Sequence, residues 1–362
     1  MRGKAIFLLG VLLGIATLVG CGGSSSGGGS SHTAYVTLPQ DNEVIGLHLD
    51  DKSGKLSTVS GSPFPTGMAP GDICVHPSNQ FAYVANQNEG NISLFTIDAG
   101  SGALTEVMPR TPTALNPVAL TTDPAGSFLF VANQGSDNIS VFSIDASKGT
   151  LSEVMQSPFK AGLAPSKLVV SPSGNFLYVA NENSLSISIF SIAPGLGTLS
   201  EVGPPVILSS APFAMTIDPS GQHLYVTLPA NGFTGFTIDT MSGSLTPLTP
   251  APFAAGTSPI AVVVDPSGQF LYVANLSSNN VSAYTLDSTT GIPTQITKSP
   301  VSAGTGPVFL AMDSSGKFVY VGNQGSKSIS EFTLDPKTGD LTAIAGSPFK
   351  IADAPASMFI TR

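Results

Sequence analysis

Groups able to move protons or hold charge are scarce in this chain: its 362 residues include 14 Lys and Arg, 23 Asp and Glu, and 4 His. Among them, Lys167 and Glu182 flank one apolar run, Phe176-Leu177-Tyr178-Val179-Ala180-Asn181. A carboxylate beside an ammonium can serve as general base for water attacking a carbonyl, with the ammonium stabilising the oxyanion. The same two side chains can equally form a partly solvated ion pair without catalytic duty. Asp72, Gln87, Gln134 and Gln324 occupy matching positions in other copies of the run and are candidate ligand-binding groups. His48, His76 and His223 fall at different points of the repeat and His32 precedes it, so no metal site is expected.

Positioning these groups falls to the repeat itself. Close copies of the run occur at Phe81 to Asn86, Phe128 to Asn133, Phe270 to Asn275 and Phe318 to Asn323, with looser ones at His223 to Leu228 and Ala34 to Leu38. Their aromatic residues, Tyr35, Tyr83, Phe130, Tyr178, Tyr225, Tyr272 and Tyr320, are spaced by 47 or 48 residues. A period of that length marks a solenoid or propeller. Each repeat reads as four strands. In one of them these are Pro165 to Ser171, Phe176 to Ala180, Ile187 to Ile192 and Thr198 to Val202, joined by the turns Pro172-Ser173-Gly174 and Pro194-Gly195-Leu196-Gly197. The near-continuous apolar second strand indicates burial on both faces. Four antiparallel strands repeated radially make the blade of an all-β propeller.

Six complete copies begin at Pro70, Pro117, Pro165, Pro212, Pro259 and Pro307. Residues Ala34 to Phe64 supply second, third and fourth strands without a first, and Pro355 to Thr361 resembles a first strand with nothing after it. Joined, they form a seventh, composite blade and remove the open sheet edges. The propeller thus spans residues 34–362. First-strand heads and second-to-third loops then share one face, so Lys167 and Glu182 are expected to meet near the mouth of the central channel.

Other groups are read as structural. Asp123, Asp218, Asp265 and Asp313 recur before Pro or Ser and a Gly, where Asx-type turns account for them, on the face opposite the candidate site. Cys74 lies in an apolar inner strand and reads as a small buried hydrophobe. Phe64, Phe159, Phe253 and Phe349 follow prolines and are expected to cap the gaps between blades. There is no Cys-x-x-Cys-His for haem and no Trp for a sugar platform, and no cofactor is expected.

The chain opens with Arg2 and Lys4 ahead of an apolar stretch, Ala5 to Val19, which has the order of a removable signal over residues 1–20. Leu18-Val19-Gly20-Cys21 resembles a bacterial lipobox, which implies acylation of Cys21 and anchoring to a membrane without spanning it. Gly22 after the cysteine implies outer-membrane sorting by the same resemblance, so the expected location is the cell envelope. Residues 21–33 then act as lipidated cysteine and Gly/Ser tether, holding the domain about 15–20 Å from the bilayer. Without Arg2 and Lys4, 12 basic residues face 23 acidic ones, a net charge of −11. With no basic cluster, nucleic acid is excluded as a partner. A monomer is expected. Only Cys21 and Cys74 are present, so no disulfide framework forms.

The repeated Tyr-Val-Ala-Asn, the Asp-Pro-Ser-Gly turns and the Thr-Gly-x-Leu hairpins resemble the seven-bladed lactonase family, over Ala34 to Arg362. That family includes bacterial 6-phosphogluconolactonase, fungal carboxymuconate cyclase and many secreted propellers of undefined role. Its enzymes begin an inner strand with Gly-Pro-Arg-His and follow a second strand with Asn-Glu. Here the heads are Pro70-Gly71-Asp72, Pro117-Val118-Ala119, Pro165-Ser166-Lys167, Pro212-Phe213-Ala214, Pro259-Ile260-Ala261, Pro307-Val308-Phe309 and Pro355-Ala356-Ser357, and none contains Arg-His. Outside the signal the only arginines are Arg110 and Arg362. A phosphorylated or carboxylated lactone needs a pre-placed cation, for which Arg is suited by its bidentate fork. By the resemblance, Lys167 takes the place of the family histidine, and Glu182 follows Asn181 as in Asn-Glu. Two functions follow: a non-catalytic, lipid-anchored module that binds a protein, glycan or small ligand, or a divergent lactone hydrolase using Lys167 and Glu182.

Overall fold

The computed structural model describes residues 32–361. The signal segment, Cys21 and the Gly/Ser tether up to Ser31 lie outside the described residues. The second strand of every complete repeat is buried at all six positions, as in Phe176–Asn181 and Phe318–Asn323. It lies between the first and third strands of its own sheet and is faced by neighbouring sheets on both sides. One such blade comprises Pro165–Val170, Phe176–Asn181, Ser186–Ile192 and Leu199–Glu201, hydrogen-bonded in that order. Seven sheets of this kind close a seven-bladed β-propeller. We number the blades 1 to 6 from the repeats beginning at Pro70, Pro117, Pro165, Pro212, Pro259 and Pro307; blade 7 is the composite one.

In blade 7 the C-terminal strand Met358–Ile360 pairs with His32–Leu38, with Tyr35 opposite Phe359. Thr33 and Thr361 lock the junction, the Thr33 amide donating to Thr361 Oγ1 at 2.9 Å and the Thr361 amide to the Thr33 carbonyl at 2.8 Å. His32 and Thr33 therefore belong to the sheet rather than the tether. His32 Nδ1 also lies 2.7 Å from Asp51 Oδ1.

The core is divided into apolar clusters, each between two adjacent blades. The aromatic of the second strand adds a directional bond across each gap. Tyr35, Tyr83, Tyr178, Tyr225, Tyr272 and Tyr320 each donate their hydroxyl to a glycine carbonyl in the outer hairpin of the next blade, at 2.7 to 3.0 Å. Tyr320 reaches Gly54 and so bonds blade 6 to blade 7. Phe130 has no hydroxyl to offer at this position. The acceptor glycines must be glycine: Gly54 has φ +70 and a Cβ there would lie 2.3 Å from Phe318.

Asp123, Asp218, Asp265 and Asp313 are buried turn residues, each accepting the backbone N–H of the residue five positions on, as Phe128 does to Asp123 at 2.7 Å. Phe64, Phe159, Phe253 and Phe349 pack into the clusters between their own blade and the next.

Candidate functional site

In blades 1, 2, 3, 5 and 6 the first strand begins at a proline and the pairing shifts register at its head, as between Pro165 and Lys167 or Pro70 and Ile73. Such a bulge re-aims the side chain beside it. The residue before the proline takes left-handed geometry, for example Ala69 (φ 54), Asn116 (φ 52) and Ala164 (φ 52). Its carbonyl accepts the backbone N–H of the residue after the second strand: Gln87 to Ala69 at 3.1 Å, Gln134 to Asn116 at 2.9 Å and Glu182 to Ala164 at 2.9 Å. Heads and loops are thereby held side by side at one end of the central channel. They border a cavity of about 590 Å³ lined by Asp72, Gln87, Gln134, Ser166, Lys167 and Glu182 on one side. Phe213, Ile260, Val308 and Phe309 line the other.

Asp72 organises the polar side. Its Oδ2 accepts Lys167 Nζ at 3.0 Å and the Leu120 amide at 3.4 Å. Its Oδ1 accepts Ser357 Oγ at 2.5 Å and the Ile73 amide at 3.0 Å. One buried carboxylate thus joins blades 1, 2, 3 and 7. The partner of Lys167 is therefore Asp72, not Glu182 as the sequence suggested, because the third head residues of different blades converge on the channel while loop residues stay at its rim. Glu182 Oε2 instead accepts Gln134 Nε2 at 3.2 Å, and Gln134 Oε1 accepts Asn116 Nδ2 at 3.1 Å. Among the described residues Glu182 Oε1 has no hydrogen-bond partner. Lys167 has three N–H donors and spends one on Asp72.

Gln87 lies against the backbone of Gly71, where a Cβ would come within 2.1 Å of Gln87 Nε2. Gln324 is exposed and does not line the cavity; blade 6 presents Val308 and Phe309 there instead. Ser357 was not singled out from sequence, yet it shares the third head position with Asp72 and Lys167, and comparing the seven heads column by column carries that signal. Cys74 borders the cavity but is buried, and burial, reinforced by the Asp72 charge, pushes its thiol well above the usual value. No group of three or more His, Cys, Asp or Glu that could hold a metal occurs among the described residues.

This fold and channel mouth define a propeller of the lactonase class. The family model described as "Lactonase, 7-bladed beta-propeller" matches residues 29–162, 154–255 and 247–353, and the chain belongs to that family. No curated protein matches it. Among solved structures it is similar to a Bacteroides uniformis ATCC 8492 protein provisionally named a 6-phosphogluconolactonase, with 17% identity, TM-score 0.81, and 91% and 99% of the two chains covered. A Bacteroides fragilis NCTC 9343 protein named in the same way has 20% identity and TM-score 0.80, covering 92% and 98%. The periplasmic gluconolactonase of Pseudomonas aeruginosa has 20% identity and TM-score 0.76, covering 92% and 99%. At these identities the likeness is one of fold.

Proposed function

We propose that the protein is a binding propeller whose channel mouth takes an uncharged, hydroxyl-bearing small ligand of the sugar or sugar-lactone class. The observation that carries this reading is the Lys167–Asp72 pair. Among the described residues Lys167 is the only cation lining the cavity, and at 3.0 Å from Asp72 it is already neutralised. A phosphate or carboxylate would meet no unpaired positive charge there. A neutral polyol finds matched groups instead: the remaining Lys167 N–H donors, the Gln87 amide and the open Glu182 oxygen. A mostly apolar cavity of this size with a few placed polar groups is the usual form of a small-molecule site.

A second reading rests on Glu182 Oε1. Glu182 lines the cavity, and a carboxylate oxygen with no partner among the described residues can take a proton from water attacking a lactone carbonyl, while Lys167 can still donate to the oxyanion. Titration calorimetry with methyl β-D-glucoside, and hydrolysis of uncharged lactones and 6-phosphogluconolactone, separate the two. Binding lost in Glu182→Ala and Gln134→Ala, with lactone opening no faster than a protein-free blank, supports the binding module. Turnover that vanishes in Glu182→Ala selects the hydrolase. Absence of both rejects the site.

The proposal includes attachment to the cell envelope through Cys21, supported by the Leu18–Cys21 sequence and the Gly/Ser run after it. Cys21→Ala should move the protein from the membrane fraction to the soluble one; retention in the membrane would overturn the anchor.

A further inference from the structure

On the face opposite the channel mouth three polar contacts recur where neighbouring blades meet, and the gap between blades 2 and 3 lacks all of them. The first is the tyrosine hydroxyl. With Phe130 in blade 2, the Gly197 carbonyl of blade 3 goes without the tyrosine donor that the other acceptor glycines receive. The second lies in the turn after the first strand. Its polar residue bonds the hydroxyl of a serine two positions on in the other five complete repeats: His76–Ser78, Ser171–Ser173, Asp218–Ser220, Asp265–Ser267 and Asp313–Ser315. Blade 2 has Ala125 in place of that serine. The third is the aspartate that opens the outer hairpin. Asp50, Asp98, Asp145, Asp239, Asp287 and Asp335 each accept the amides two and three residues on, whereas blade 3 has Ala193.

Ala125 leaves a buried carboxylate half satisfied. Asp123 is 7% exposed; its Oδ1 accepts the Phe128 amide at 2.7 Å, and its Oδ2 has no hydrogen-bond partner among the described residues. The corresponding oxygens, Asp218 Oδ2, Asp265 Oδ2 and Asp313 Oδ2, each take a serine hydroxyl. A second cavity, of about 550 Å³, opens at this gap. It is lined by Asp123, Ser127 and Phe128 of blade 2 and by Ser173, Asn175 and Ile192 of blade 3. No Lys, Arg or His is among the described residues that line it.

We infer that this gap is a second binding site, independent of the channel mouth, for a small organic cation: a primary ammonium on a short aliphatic body. Both hydroxyls missing from the gap are donors, so the groups left short of a partner are acceptors. A buried carboxylate with no cation beside it calls for a positively charged donor. An ammonium suits it better than a guanidinium, whose fork needs two oxygens, because Asp123 Oδ1 is already taken by the Phe128 amide. A metal ion is served poorly, since Asp123 is the only carboxylate among the described lining residues. Phe128, Ile192 and Pro194 supply apolar wall for the aliphatic part. The hollow has the volume of a small-molecule pocket, and lysine is depleted at protein interfaces, so a free cation fits better than a polypeptide side chain.

The test is a ligand-observed NMR titration of the full-length protein with n-butylammonium and its neutral counterpart n-butanol, at constant ionic strength. The cation should bind at least about tenfold more tightly than the alcohol, the margin of a charge-assisted hydrogen bond. Asp123→Asn should remove that margin. Ala125→Ser restores the serine of the other repeats and so keeps the fold. It should weaken the cation at least about threefold, by giving Asp123 Oδ2 the internal donor that Ser220 gives Asp218. Lysine capped at its backbone, with the side-chain amine free, should bind more weakly than n-butylammonium. Equal affinity for cation and alcohol, binding of neither, or an affinity unchanged in Ala125→Ser overturns the site. Tighter binding of the capped lysine overturns the small-molecule assignment in favour of a polypeptide ligand.

Discussion

Lys167 Nζ lies 3.0 Å from Asp72 Oδ2, although a whole blade separates the strands that carry them. The bond crosses above the head of blade 2, whose Leu120 amide points at the same carboxylate oxygen. Asp72 also takes the Ser357 hydroxyl from the C-terminal strand, so the closing segment of the ring and the candidate site share one carboxylate. A single substitution at Asp72 should accordingly be felt in both stability and ligand selectivity.

Asp72→Asn should cost about 1–3 kcal/mol, at the lower end because Lys167 is partly solvated. It should also free the ammonium, so that inorganic phosphate is expected to bind the variant and not the parent. Denaturant unfolding and phosphorus NMR titration check the two halves. In the Asp72→Asn, Lys167→Met double variant the phosphate response should vanish, and the loss of stability should be smaller than the two single losses added.

The tyrosine hydroxyls that bridge blades predict a graded response. Tyr320→Phe should lower stability by about 1 kcal/mol, and Phe130→Tyr, which supplies the missing donor toward Gly197, should raise it by up to about the same amount. Burial holds Tyr35, Tyr83, Tyr178, Tyr225, Tyr272 and Tyr320 above the usual value of 10.0. The neutral phenol is favoured in the fold, so this contribution is full below pH 10.0 and is lost as pH climbs above it, when the unfolded chain ionises first. Midpoints measured between about pH 8 and 11 should fall at the alkaline end, less steeply in Tyr320→Phe.

Glu331 is buried between blades 6 and 7 and accepts the Leu56 amide at 2.9 Å. Burial pushes its carboxyl above the usual 4.5, which means that the neutral acid suits the site. The stabilisation is present below pH 4.5 and is lost as pH rises through the raised value. Glu331→Gln keeps the acceptor and removes the charge. It should be more stable than the parent at pH 7, with the advantage fading near pH 4, as read by urea midpoints at both pH values.

Removal of residues 355–362 should open the ring. Those residues supply the pairs Ala34–Ile360, Tyr35–Phe359 and Val36–Met358, the Thr33–Thr361 bonds and the Ser357 hydroxyl on Asp72. A loss of more than about 3 kcal/mol is expected from bonds of this number. Deletion of residues 22–31 should leave the unfolding midpoint unchanged.

The architecture was legible because it is written redundantly. Seven aromatic positions spaced by 47 or 48 residues mark the repeat, and alternating turn and strand residues give the order within each blade. The composite blade followed from one strand missing at the start and one supernumerary at the end. These are local patterns summed many times, and sequence separation does not blur them.

The site was only partly legible. Residue types at the heads and loops placed Asp72, Gln87, Gln134, Lys167 and Glu182 on one face, and all five line the cavity. Their partnerships were not readable: Lys167 meets Asp72 across 95 residues, and Ser357 meets it across 285. Such distances are set by how far each bulged strand head leans into the channel and which blades face one another across it. Gln324 has the same local signature as Gln87 and still points elsewhere, because its blade fills the channel with Val308 and Phe309. The chain by itself determined the blades and their order, since these depend on periodic burial and turn chemistry. Only the closed ring decided which charges neutralise each other, since electrostatic pairing depends on distances of a few ångströms between residues far apart in sequence.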